Sequence, residues 1–285
     1  MNTQASKLNA EADRWQGYLE KKSNAQLEDF TANAGSGNYT IFGKWYAEYY
    51  KAPVFIHSEW CHMYLSFCAN RTGIGPDVIP YTASCGTSAS WFKKRGRWHA
   101  SGTYSPQTGD IVFFARDGKK PVHAGFVRYV EAGRVYTIEG NTTAAVRGKD
   151  DKLITNGGGV AKKSYAISSA YILGYGNPAY TGMEIDVLVS SVSKMIGIKS
   201  PALWQSGLEG QIKISDAFMR ALAAKVCARG GKATTPETLY ATLDSVLDLK
   251  ADDYWFAVLS GAVTVSTSNL IDLFLRIYTV FSSVA

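Results

Sequence analysis

Four cysteines in 285 residues are too few for a disulfide framework, so the thiols are read as one functional cysteine and three reduced, mostly buried ones. No stretch approaches ~20 uninterrupted apolar residues, the length a membrane-spanning helix needs. The opening residues, Met1 to Arg14, have no apolar core of the secretory type, and no signal peptide is expected. Internal repeats and low-complexity tracts are missing too. Only four histidines are present, which confines imidazole chemistry to a few positions. His57, His62 and His99 have no zinc-site spacing with another cysteine, and Asp150-Asp151 has no calcium-loop context; no metal and no cofactor is expected.

With 46% hydrophobic and 19% charged residues, the chain has the makings of a folded protein with a substantial core. The net charge of +6 is uneven. Residues 183–285 hold 9 Lys and Arg against 10 Asp and Glu, leaving 21 against 14 in residues 1–182. A basic first part favours a polyanionic partner. Lys119-Lys120 and Lys162-Lys163 are isolated pairs without a recognition helix or RNA-binding motif, so nucleic acid is not that partner.

The most telling segment is Ser58-Glu-Trp-Cys-His-Met-Tyr-Leu-Ser-Phe-Cys-Ala69. Ser58 reads as an N-cap, which places Cys61 in the first turn of a helix that ends near Gly73. Unbonded N–H groups and the macrodipole there stabilise a thiolate. A buried core thiol is the bland alternative for Cys61. Cys85, before a helix expected over Ser88–Lys94, is a rival nucleophile, while Cys68 and Cys227 read as packing residues.

An imidazole comes from a hairpin. Val122 to Val130 and Arg134 to Asn141 are β-forming runs around Glu131-Ala-Gly133. In an even register His123 faces either Glu139 or Asn141, and all three lie on one face. An odd register, or a bulge at Gly133, sends the histidine to the other face. A plain surface acid is the bland reading of Glu139. Asp110 reads as a turn residue.

Trp60-Cys61, Pro106-Gln-Thr-Gly-Asp110, Val122-His-Ala-Gly-Phe-Val127 and Tyr136-Thr-Ile-Glu-Gly-Asn141, with Asn33-Ala-Gly-Ser-Gly-Asn-Tyr39 and Gly174-Tyr-Gly-Asn-Pro178, resemble CHAP domains in order and wording. These are the cysteine, histidine-dependent amidohydrolase/peptidases, papain-like enzymes that cut bacterial peptidoglycan. The resemblance implies Cys61 as nucleophile, His123 as its base, Glu139 as the residue orienting the imidazole and Asn141 as a supporting polar group. His62-Met63 departs from the small residues common after the cysteine, which puts the cleft wall in question. The expected fold is α+β over residues 1–178: amino-terminal helices, beginning with Ala5–Lys22, packed on an antiparallel meander, with residues 23–57 irregular. A linker at 179–182 and a bundle of four or five helices over 183–285 follow.

The expected function is cleavage of a peptidoglycan amide bond, as an N-acetylmuramoyl-L-alanine amidase or an endopeptidase. A phage endolysin, made in the host cytoplasm and acting at the wall, is the setting the resemblance implies. An interbacterial antibacterial effector and a catalytically inert wall-binding protein are the alternatives. Peptidoglycan and its associated wall polymers are the expected partners, with no membrane insertion. The helical part is read as a wall-binding or oligomerisation module, with Trp204, Tyr254 and Trp255 as recognition aromatics and the apolar segment Leu270 to Phe281 as a homo-oligomer seam or a central bundle helix.

Overall fold

A computed structural model of the chain describes all residues except 34–36, 144–145, 148–152, 155–157, 250–251 and 283–285. Asp150-Asp151 and three residues of the 33–39 motif therefore lie outside the described residues. The expected α+β class holds: helices come first, an antiparallel sheet next and a helical part last. The chain divides into two compact units, residues 11–180 and residues 1–10 with 181–285.

In the first unit, helices α1 (Thr3–Arg14, its last residues), α2 (Ile41–Tyr50), α3 (Cys61–Arg71) and α4 (Cys85–Lys94) precede a six-stranded sheet. Its strands are β1 (Trp98–Ala100), β2 (Ile111–Phe114), β3 (His123–Glu131), β4 (Arg134–Thr142), β5 (Gly159–Ala166) and β6 (Ile172–Gly176), in the order β1-β6-β2-β3-β4-β5. A two-stranded ribbon of Val146–Arg147 and Leu153–Ile154 lies apart from it.

The hairpin between β3 and β4 decides the site. Its turn residues, Ala132 (φ 47°) and Gly133 (φ 73°), are both left-handed, as a two-residue hairpin turn that follows the strand twist requires. Glu131 consequently pairs with Arg134, a register that would, if continued, set His123 opposite Thr142 and off the face of Glu139. Arg128 prevents this by dropping out of the ladder as a bulge between Val127 and Tyr129. Beyond it Val127 pairs with Thr137 and Phe126 with Ile138. Continued further, that register sets Gly125 against Glu139 and His123 against Asn141, the second of the two even arrangements. The bulge sits at Arg128, not Gly133. Its guanidinium donates two hydrogen bonds to Asp13 (3.0 and 2.8 Å), and Tyr129 stacks on its cross-strand partner Tyr136 at 4.4 Å.

Several sequence-derived boundaries shift. Helix α1 stops at Arg14 instead of Lys22, because the chain turns at Gly17 with φ 88°. The supposedly irregular aromatic run is helix α2, capped by Thr40, whose Oγ1 accepts from the Gly43 N–H (3.0 Å). Phe42 and Tyr46 are buried on one face of α2. Trp15 meets Tyr18, Phe30, Phe42 and Phe67 ring to ring. Lys21, fully buried, holds the segment before α2 by donating to the carbonyls of Phe30 (3.2 Å) and Ala32 (2.8 Å).

Among the described residues the second unit carries six helices, where four or five were expected: α5 (Ile185–Ile196), α6 (Pro201–Leu208), α7 (Asp216–Arg229), α8 (Leu239–Leu247), α9 (Asp252–Ser260) and α10 (Thr267–Ser282). Residues 1–10, read from sequence with the first domain, belong here. Backbone hydrogen bonds tie Thr3 N–H to the Met183 carbonyl and Ile185 N–H to that of Met1, both at 2.9 Å. Trp204 and Trp255 are core residues, which corrects their reading as recognition aromatics; Phe218 and Phe256 are the exposed rings. Leu270, Ile271, Leu273, Phe274, Ile277 and Phe281 of α10 are all buried, so this helix is central to its bundle. Among the described residues no helix is long and apolar enough to cross a membrane.

Ala132 holds a conformation that costs an L-residue with a Cβ about 1–2 kcal/mol. Asparagine tolerates it better, and Asn-Gly is the preferred pair for this turn. Ala132→Asn should stabilise the first unit by about 1 kcal/mol, raising its melting temperature by about 2–4 °C in calorimetry. No change, or a loss, contradicts the assigned turn.

Candidate active site

Cys61 is the first residue of α3, two positions earlier in the turn than a Ser58 cap would place it. Trp60 takes the cap position and offers no side-chain hydrogen bond, because Ser58 is engaged elsewhere: its Oγ donates to the Val54 carbonyl (2.8 Å) and closes the 3-10 turn Pro53–His57. The first helical hydrogen bond runs from the Tyr64 N–H to the Trp60 carbonyl (2.9 Å), so the Cys61 N–H lies in the first turn, which has no intrahelical acceptor.

That turn packs directly on β4. A Cβ at Gly140 would fall 2.8 Å from Tyr64 Cβ and 2.9 Å from the Trp60 ring, so only glycine permits this approach. The approach brings Cys61 into one cleft with His123. His123 Nε2 donates to Glu139 Oε2 at 2.9 Å, and its ring stacks on Phe114 at 5.7 Å. Since Nε2 is engaged, Nδ1 is the nitrogen that serves the thiol.

Glu139 is fully buried. Beyond His123 it accepts from Thr137 Oγ1 and from Tyr165 OH (3.2 Å). A buried carboxylate without such donors would be costly. Opposite it stands Gly125, where a Cβ would lie 2.5 Å from Glu139 Cγ. Two glycines therefore shape the site: one admits the helix and one admits the carboxylate.

The second cysteine also belongs here. Helix α4 begins at Cys85, three residues before the expected start, with Ser84 Oγ accepting from the Thr87 N–H (3.2 Å). Cys85 Sγ lies 3.6 Å from Cys61 Sγ. A hydrogen bond from Cys85, then one from His123 and the charges of His123 and His62, hold the Cys61 pKa well below the ordinary thiol value against the opposing effect of burial. Cys85 moves the opposite way, pushed up by the hydrogen bond it makes to Cys61 and by burial. Burial alone would discharge His123, but Cys61 and Glu139 outweigh it and raise its pKa to about 9. Both shifts favour a thiolate–imidazolium pair.

Cys61 and His123 line a cleft of about 490 Å³, joined by Glu59, Arg116, Tyr171 and the Asn141-Thr142-Thr143 segment. Asn141 reaches the cleft wall with a left-handed backbone (φ 52°), but the imidazole bonds to Glu139, not to it. The bulge between Glu139 and Thr142 in the pairing with β5 re-aims it. His62 and Met63 are buried and do not form the wall; His62 Nδ1 meets the Thr82 carbonyl at 3.0 Å. Asp110 is a turn residue, accepting from Gln107 N–H (2.7 Å) and Asn177 Nδ2 (2.9 Å). Cys68 is buried with its pKa raised by burial, and Cys227 is core to the helical unit. Among the described residues no three His, Cys, Asp or Glu side chains gather as metal ligands. Sequence reasoning missed Thr137 and Tyr165. Thr137 was detectable as the same-face neighbour of Glu139, whereas Tyr165 arrives through the β4–β5 pairing.

Gly125→Ala tests the crowding. We expect a folded sheet, a displaced Glu139 and slower alkylation of Cys61 at mildly acidic pH; wild-type alkylation would show that Glu139 tolerates the methyl group.

Comparison with known proteins agrees with this geometry. Residues 54–141 match the family model for the CHAP domain, a span that holds Cys61, His123, Glu139 and Asn141. No curated protein and no solved structure matches the chain. Residues 54–141 of the first unit are thus similar to the CHAP domain, the family to which the motifs pointed.

Proposed function

We propose that the protein hydrolyses an amide bond of bacterial peptidoglycan by cysteine nucleophile catalysis. The observation that carries this reading is the pairing of a helix-start thiol with a carboxylate-anchored imidazole in one cleft, inside the CHAP match. The Cys61 thiolate attacks the amide carbonyl, and the Cys61 N–H is placed to receive the developing oxyanion. The His123 imidazolium then protonates the leaving amine as the C–N bond breaks. Neutral His123 next takes a proton from water, which cleaves the thioester and restores the thiolate. Glu139 fixes the ring and stabilises its charge, and Asn141 is assigned to substrate contact at the cleft wall. Muramoyl–alanine amidase and endopeptidase reactions share every one of these steps, and an endolysin is the setting we favour.

Cys61→Ala should abolish clearing of purified cell walls with the circular dichroism spectrum unchanged. In the wild type, activity should fall as pH rises through about 9, where His123 loses its proton. Glu139→Gln removes the carboxylate charge, so this limb should move toward the ordinary imidazole value of about 6.5. The maximal rate should drop by ~10²-fold or more as proton transfer weakens. An unmoved basic limb would remove Glu139 from the mechanism.

The same proposal gives the helical unit the role of holding the enzyme on the wall. Its nearly balanced charge, 9 basic against 10 acidic residues in 183–285, implies recognition that does not rest on net charge. Sedimentation of full-length Cys61→Ala with purified walls should survive high salt. Release by salt would assign binding to the basic first unit alone.

A further inference from the structure

Helices α3 and α4 both begin with a cysteine, and their sulfurs lie 3.6 Å apart. We propose that Cys61 and Cys85 are a peroxide modification site, which closes reversibly into a disulfide and takes the nucleophile out of action. The inference rests on the reading of Cys61 as the reactive thiolate and extends it to a second substrate class, small hydroperoxides.

Position makes the two sulfurs unequal. Cys61 lines the cleft, whereas Cys85 does not and meets Cys61 from behind. Both are buried, with 6% of their surface exposed, so the reagent must be small and must enter through the cleft. Thiolates, not thiols, attack peroxides, and Cys61 is the thiolate of the pair. Its sulfur attacks one peroxide oxygen and the O–O bond breaks. The departing hydroxide takes a proton from the His123 imidazolium and leaves as water, and Cys61 becomes a sulfenic acid. With the Cys61 charge gone, the chief influence keeping Cys85 protonated disappears. The Cys85 sulfur then attacks the sulfenic sulfur, the S–O bond breaks, and the thiol proton leaves with that hydroxide as a second water. Two thiols lose two electrons in all, one peroxide gains them, and one disulfide forms.

Forming the bond requires the sulfurs to close from 3.6 Å to a bonded distance of about 2.0 Å. Without Cys85 the sulfenic acid has no resolving thiol in contact, and a second hydroperoxide oxidises it to sulfinic acid, releasing water or an alcohol; ordinary thiols do not reduce that product. Cys68 and Cys227 are spectators: one is fully buried on α3, and the other belongs to the separate helical unit.

The test treats the full-length protein with one equivalent of hydrogen peroxide. Thiols are then counted in denaturant and peptides mapped by mass. We expect four thiols to fall to two, a peptide linking Cys61 to Cys85, complete loss of wall clearing and its full return with dithiothreitol. In Cys85→Ser, given two equivalents of hydrogen peroxide, Cys61 should end as sulfinic acid and clearing should stay unrecovered. Thiols that disappear without a linked peptide, or a Cys85→Ser protein that recovers like the wild type, would overturn the proposal. Should the variant not fold, the wild-type peptide map decides alone. A protein that forms the linked peptide yet clears no wall would sink the hydrolase reading and leave the thiol pair standing; clearing without a linked peptide would do the reverse.

Discussion

Everything at this site depends on how closely the first turn of α3 approaches β4 at Gly140. Tyr64 and Trp60 occupy the space that any side chain there would need. Because the helix sits that low, its first residue is buried against the sheet, and the Cys61 sulfur shares an environment with His123 and Glu139. A thiolate so placed has lost most of its water. What replaces water must come from the protein, and the surrounding structure is largely the supply of those replacements.

Magnitudes show why one partner is insufficient. Two unit charges ~4 Å apart gain about 4 kcal/mol at an effective dielectric constant near 20. Withdrawing each ion from water costs several kcal/mol. A bare thiolate–imidazolium pair therefore gains little, and each charge needs further hydrogen bonds. Cys61 has the Cys85 thiol and the unbonded start of α3; His123 has Glu139; Glu139 has Thr137 and Tyr165. The chain of donors ends at hydroxyl groups, which carry no charge and require no further counter-ion. This is also why Asn141, one residue beyond Gly140, is not needed beside the imidazole. The carboxylate already occupies Nε2, and an amide in its place would remove one of the two negative charges beside the imidazolium.

Much of this was legible in the sequence, and the failures have physical causes. Cys61 at a helix start, the hairpin that carries His123 and Glu139, and helices followed by strands all follow from local patterns. Register did not, because it depends on two features that partly cancel. The Ala132-Gly133 turn imposes an odd offset, and the bulge at Arg128 reverses it. Arginine carries no bulge signal of its own; what holds it is Asp13, more than a hundred residues away in the chain. Helix α2 escaped notice because aromatic residues have ordinary helix propensity and its glycine suggested a break. The place of residues 1–10 was invisible for a similar reason, since an amphipathic helix reports that it has a buried face but not which unit buries it.

The two cysteines show how little a helix terminus decides alone. Cys61 and Cys85 are both first helical residues, so the macrodipole favours a thiolate at either. Cys85 even has the better cap, from Ser84, while Trp60 offers Cys61 none. Yet the negative charge settles on Cys61. The difference lies in the third element, the sheet, which delivers His123 to one sulfur and also opens the cleft on that side. Once one sulfur is charged, a neighbour 3.6 Å away is obliged to keep its proton, because two adjacent buried thiolates would repel and share one pool of donors. The strand register therefore decides which sulfur the imidazole favours as the thiolate, and the second thiol follows as its hydrogen-bond donor.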